Sequence, residues 1–63
     1  MVKDYIDKFK YLVDYFIIQY PDGEEEEILS EDAEFLDEDF MERSVMGVNV
    51  DIDYKYCMIC LED

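Results

Sequence analysis

Sixty-three residues make one small domain at most, with a marginal core, since a chain of this length hides only about 60% of its unfolded surface on folding. The net charge of −14 excludes direct binding to nucleic acid or to an anionic membrane, while 51% hydrophobic and 16% aromatic residues exclude an acidic disordered tail. The absence of His removes Ser-His-Asp and Cys-His catalysis, both of which need an imidazole base.

The N-terminal stretch MVKDYIDKFK is charged throughout, so no signal peptide is expected. Val2, Tyr5, Ile6, Phe9, Leu12, Val13, Phe16, Ile17 and Tyr20 follow three-and-one spacing, the stripe of an amphipathic helix. This predicts a helix from about residue 3 to residue 14. Beyond it the reading forks. DYFIIQY is rich in β-branched and aromatic residues and runs into the turn sequence Pro21-Asp22-Gly23. Either the helix continues to about residue 19, which is the preferred reading, or residues 15–20 form a strand. That strand could pair across the turn with EEEEIL.

Twelve of the twenty-one residues from Asp22 to Glu42 are Asp or Glu, and none is Lys or Arg. Glu24, Glu25, Glu26 and Glu27 are adjacent like charges, expected in a solvated loop or at best an edge strand. Ser30 suits an N-cap and acidic residues fill the turn that follows, where the helix dipole favours them. A second helix is expected over about 31–45. Ala33, Leu36, Phe40, Met41 and Val45 would form its inner side, and Gly47 would stop it. Its outer face would carry Asp32, Glu34, Glu38, Asp39 and Glu42, with Glu31 and Asp37 beside them.

The segment from Val48 to Leu61 alternates like a strand. Val50, Ile52, Tyr54, Tyr56 and Met58 share one parity, and Ile59 helps to make the second face apolar near the end. A strand over 48–61 is long and contains no evident turn. It also lacks a partner if the N-terminal segment is helical. Pairing with a second copy in a homodimer, or docking against a target's sheet, would satisfy its backbone. The fold class expected is therefore α+β, with an N-terminal helix, an acidic loop, an acidic helix and one long strand in a single domain.

No enzymatic chemistry or cofactor is expected. Cys57 and Cys60 form half of a zinc motif, but residues three apart on a strand point to opposite faces, and two small buried hydrophobes are the simpler reading. The acidic run lacks the EF-hand pattern, so no metal site is assigned. Two free thiols fit a cytoplasmic protein. Tyr11, Tyr15, Tyr54 and Tyr56 fit ordinary half-buried packing, or an interface in which Tyr stacks on Arg.

A run of charge is commonly a solvated face. Here the expected geometry also matches phosphate spacing: carboxylates at i, i+4 on a helix lie about 5–6 Å apart. Asp51 and Asp53 on one strand face would lie about 6.6–6.8 Å apart. In size, acidity, Tyr content and lack of catalytic residues, the chain resembles the small DNA-mimic proteins of bacteriophages. That group includes inhibitors of uracil-DNA glycosylase, of restriction enzymes and of CRISPR effectors. The resemblance covers the segment from Asp22 to Glu42 with Asp51 and Asp53, and it implies a mode of action and no topology. The partner it implies is a basic nucleic-acid-binding protein, such as a nuclease, a CRISPR effector or a repair enzyme. A phage-encoded inhibitor of this kind would work in the host bacterial cytoplasm. The alternative is a small interaction or regulatory module that docks through its hydrophobic strand or helix.

Overall fold

The computed structural model describes all 63 residues. It is a small α+β fold built on one four-stranded mixed sheet with short helices. In chain order the elements are α1 (Val2–Phe9), β1 (Tyr15–Gln19), β2 (Glu25–Leu29), a 3-10 helix (Ser30–Phe35), α2 (Glu38–Met41), β3 (Val45–Asp51) and β4 (Tyr56–Leu61). The strand order is β2-β1-β4-β3. Two antiparallel hairpins, β1–β2 and β3–β4, lie side by side and meet through a parallel β1–β4 pair.

The N-terminal fork resolves to a short helix followed by a strand. α1 ends at Phe9, not near residue 14 or 19. Two turns suffice to bury Val2 and Ile6, which stack at i, i+4 against the sheet. The β-branched and aromatic run Tyr15-Phe16-Ile17-Ile18 then alternates as a strand, with Phe16 and Ile18 buried and Tyr15 and Ile17 half-buried. The turn at Pro21-Asp22-Gly23 closes through Gly23 N–H donating to Tyr20 C=O at 2.9 Å. Gly23 supplies the positive φ of +94° that this turn needs. The EEEEIL segment pairs across it as the edge strand β2.

The continuous helix over 31–45 does not form. The chain makes a 3-10 helix, an extended step at Leu36 and Asp37 (ψ 151° and 144°), one turn of α-helix, and then β3 from Val45. One unbroken helix would stack Glu34, Glu38 and Glu42 in a single i, i+4 column of like charge, which is unfavourable. Breaking it at Leu36–Asp37 disperses that column and still delivers Ala33 to the core and Leu36, Phe40 and Met41 against it. Ser30 is no side-chain N-cap either. Leu29 holds the cap position, and the Ser30 hydroxyl donates to Val13 C=O at 2.7 Å.

The single strand over 48–61 is two strands. Residues 52–55 turn the chain, with the Tyr54 N–H bonded to Asp51 Oδ1 at 3.0 Å and Lys55 at φ +54°. β4 then lies between β1 and β3, and its backbone is paired on both sides within the chain. The unpaired strand that pointed to a homodimer is thus absent, because residues 15–19 supply the missing neighbour.

One face of the sheet holds the core: Phe16, Ile18, Ile28, Cys57, Ile59 and Leu61. α1 covers it with Val2 and Ile6, and the connection 30–44 crosses the same side from the β2 edge to the β3 edge with Ala33 buried. No helix is long and apolar enough to cross a membrane.

Candidate partner-binding surface

The acidic residues expected to meet a partner fall on four separate pieces of this frame. Glu24 ends the first hairpin turn, and Glu25, Glu26 and Glu27 form most of edge strand β2. Glu31 and Glu34 lie on the 3-10 helix, Asp37, Glu38, Asp39 and Glu42 on or beside α2. Asp51 ends β3 and Asp53 lies within the second turn. All are exposed except Asp51, which is half-buried. None is in an ion pair: the two pairs present join Asp4 to the N-terminal ammonium at 3.1 Å and Asp7 to Lys10 at 4.0 Å. Glu26 alone among the β2 carboxylates has an internal partner, the Tyr20 hydroxyl, which donates at 2.9 Å. Burial, and then this bond and the Glu26 charge, push the Tyr20 hydroxyl above its usual pKa.

The helical row of carboxylates expected over 31–45 is therefore not present as a row. The ordered spacing that exists is on β2, where Glu25 and Glu27 share one strand face and lie about 6.6–6.8 Å apart along the strand. Asp51 and Asp53 do not share a strand face, since β3 ends at Asp51 and Asp53 belongs to the turn.

The face of the sheet away from the helices is uncovered. Its side chains form three rows across the four strands, in the order β2, β1, β4, β3. The first is Leu29, Tyr15, Tyr56 and Asp51. The second is Glu27, Ile17, Met58 and Asn49. The third is Glu25, Gln19, Cys60 and Gly47. The two central strands thus carry an apolar band, and the carboxylates stand at both edges. Tyr15 and Tyr56 stack with ring centroids 5.8 Å apart and planes inclined by 25°. All six central-strand side chains are half-buried, and Leu29 is 44% exposed.

The residues expected to dock through the C-terminal strand divide three ways. Tyr56 and Met58 are on the open face. Ile52 and Tyr54 are exposed in the turn, at 62% and 74%. Ile59 is fully buried in the core and Val50 packs against it, so neither is free to meet a partner. β4 is a central strand, and its second apolar face serves the core. Ile17 and Leu29 belong to the open face and were missed. The alternation in DYFIIQY held the signal for Ile17, but only under the strand branch of the fork.

The cysteines take opposite sides, as strand alternation requires. Cys57 is fully buried, and desolvation pushes its thiol up to about 11. The Cys60 thiol is on the open face, 3.1 Å from Gln19 Oε1. No three His, Cys, Asp or Glu side chains converge as metal ligands would.

Protein-family models, curated proteins and solved structures contain no match to this chain.

Proposed function

We propose that this protein is a non-enzymatic inhibitor that occupies the phosphate-binding surface of a basic nucleic-acid-binding protein. The observation that carries the reading is a set of exposed carboxylates with no cationic partners, mounted on strands, short helices and tight turns. A surface tuned only for solubility mixes both signs. This one leaves the charge free to pair with Lys and Arg that otherwise grip a nucleic-acid backbone. The Glu25–Glu27 row on β2 has fixed spacing near that of successive phosphates. Glu31, Glu34, Asp37, Glu38, Asp39 and Glu42 add a broader negative field on the helix-covered side.

The test is capture of partners from a bacterial lysate with the tagged protein, followed by elution in a salt gradient and by displacement with duplex DNA. A DNA- or RNA-binding protein that elutes at moderate salt and is displaced by DNA supports the reading. A partner that survives about 0.5 M salt and ignores DNA overturns it.

A second reading is favoured by the open sheet face. An uncovered apolar band on the central strands suits an interaction or assembly module in which the acid only confers solubility. Binding would then depend on Tyr56 and Met58 and respond little to salt.

A further inference from the structure

We infer that the open face of the sheet is the docking surface for an arginine-bearing segment of the partner. The inference rests on the proposed basic partner and assigns the contact to a part of the molecule that the acidic run alone does not indicate.

The apolar centre of that face consists of Tyr15, Ile17, Tyr56 and Met58 on adjacent parallel strands. Its rims are acidic on both sides, with Glu25 and Glu27 on β2 and Asp51 on β3. An apolar centre within a polar rim is how tight interfaces are built, and Tyr and Met are enriched at such centres. The rim carboxylates form no ion pair. No cation is among the three rows: Lys3 and Lys8 are on α1, Lys10 just after it, Lys55 in the second turn next to Tyr56, and Arg43 over the Tyr20 ring at 5.7 Å.

This combination selects the chemistry of the occupant. A guanidinium is planar, stacks on an aromatic ring and presents a fork of N–H donors to a carboxylate. Over Tyr15 it would have a Tyr ring beneath it and Glu27 diagonally across on the next strand, opposite Ile17 and about 7–8 Å away, within reach of a long side chain. An ammonium pairs with the same rim but stacks less well and is more strongly hydrated. A nucleic-acid strand would stack on the tyrosines, yet both rims would repel its phosphates. A second copy would bring acidic rims to acidic rims, with −14 on each chain. Charge complementarity leaves a cationic protein segment.

The test is NMR titration of the isotope-labelled protein at about 150 mM salt. The probes are two peptides of about eight residues, one alternating Arg with Leu and one alternating Lys with Leu. The expected result is movement of the Tyr15, Ile17, Glu27, Tyr56 and Met58 signals, with the Arg peptide several-fold tighter. The paired substitution Tyr15→Thr and Tyr56→Thr should weaken it about tenfold, equivalent to about 1.4 kcal/mol. If that variant loses its dispersed spectrum, Glu27→Gln takes its place and should narrow the gap between the two peptides. Shifts confined to residues 31–42, equal affinity for both peptides, or a dimer in sedimentation that buries this face would each overturn the inference. Salt-sensitive binding mapped to residues 31–42 would still leave the phosphate-mimic reading standing. Captured partners that ignore salt and DNA would remove that reading as well.

Discussion

The Ser30 hydroxyl donates to the backbone carbonyl of Val13 at 2.7 Å, and the Ser30 N–H donates to the carbonyl of Asp14 at 3.0 Å. One residue thus ties the start of the 3-10 helix to the entry of β1. Ser30→Ala removes the side-chain bond and leaves a part-buried carbonyl short of a partner. The expected loss is about 1 kcal/mol. For a domain of this size that lowers the thermal midpoint by about 4–8 °C, which differential scanning calorimetry measures directly. An unchanged midpoint would assign the anchoring to the backbone bond alone.

Self-repulsion should dominate the salt response. With a net charge of −14 and only two weak ion pairs to lose, screening relieves more repulsion than attraction. The thermal midpoint should rise by several degrees between about 20 mM and 0.5 M sodium chloride, the span over which the Debye length contracts below about 10 Å. A fall would mean that local ion pairs outweigh the net field.

The two thiols should react at very different rates. Cys57 is fully buried with its thiol raised to about 11, whereas Cys60 is half-exposed on the open face. Iodoacetamide at pH 8 should add one adduct to the folded protein, at Cys60, and two after denaturation. Mass spectrometry of the peptides reads both.

Cys57 also sets an alkaline limit. Its thiol is protonated in the folded state to about pH 11, while in the unfolded chain it ionises near 9. The folded state therefore holds the extra proton between those values. This contribution is complete below pH 9 and is lost as pH rises toward 11. The raised Tyr20 hydroxyl acts in the same direction above pH 10. Denaturant midpoints should fall from pH 9 upward, and Cys57→Ala should flatten the part of that fall nearest pH 9, at a cost in packing.

Lys55 occupies the left-handed region at φ +54°, which carries a steric cost for any residue with a Cβ. Lys55→Gly should be neutral to stabilising by about 0.5–1 kcal/mol when compared in 0.5 M salt, where the lost cation matters little. A loss above about 1 kcal/mol would show that the Lys side chain itself supports the turn.

Local patterning in the sequence carried some of this structure and hid the rest. The i, i+4 pair Val2–Ile6 marked α1, and the alternation of Cys57, Ile59 and Leu61 marked β4 as a strand with two apolar faces. The fork at residues 15–20 and the missing neighbour of β4 were one question, because the strand branch of the first answers the second. Pairing at long range decided it, and no local propensity records that. The break at 52–55 was hidden because Ile52 and Tyr54 keep the alternation going and Lys55 is not a residue that usually adopts positive φ. In the 30–44 connection, Ala33, Leu36, Phe40 and Met41 do face the core as helical spacing implied. Repulsion along the Glu34–Glu38–Glu42 column explains why that spacing did not become one helix. The acidic surface was legible as charge, whereas the open face was not, because its members come from four strands.

The parallel pairing of β1 with β4 brings together residues about forty positions apart, as Tyr15 and Tyr56 are. Each hairpin can close early and locally, but the four-stranded sheet joins only when β4 of the second hairpin meets β1 of the first. During synthesis the first hairpin emerges with the core side of β1 uncovered and one edge unpaired. It must wait for Tyr56–Leu61 to clear the ribosome. A chain stopped before Tyr56 would keep its acidic run intact and yet have only the β1–β2 pair, without the central strand that joins the sheet, on which to display it.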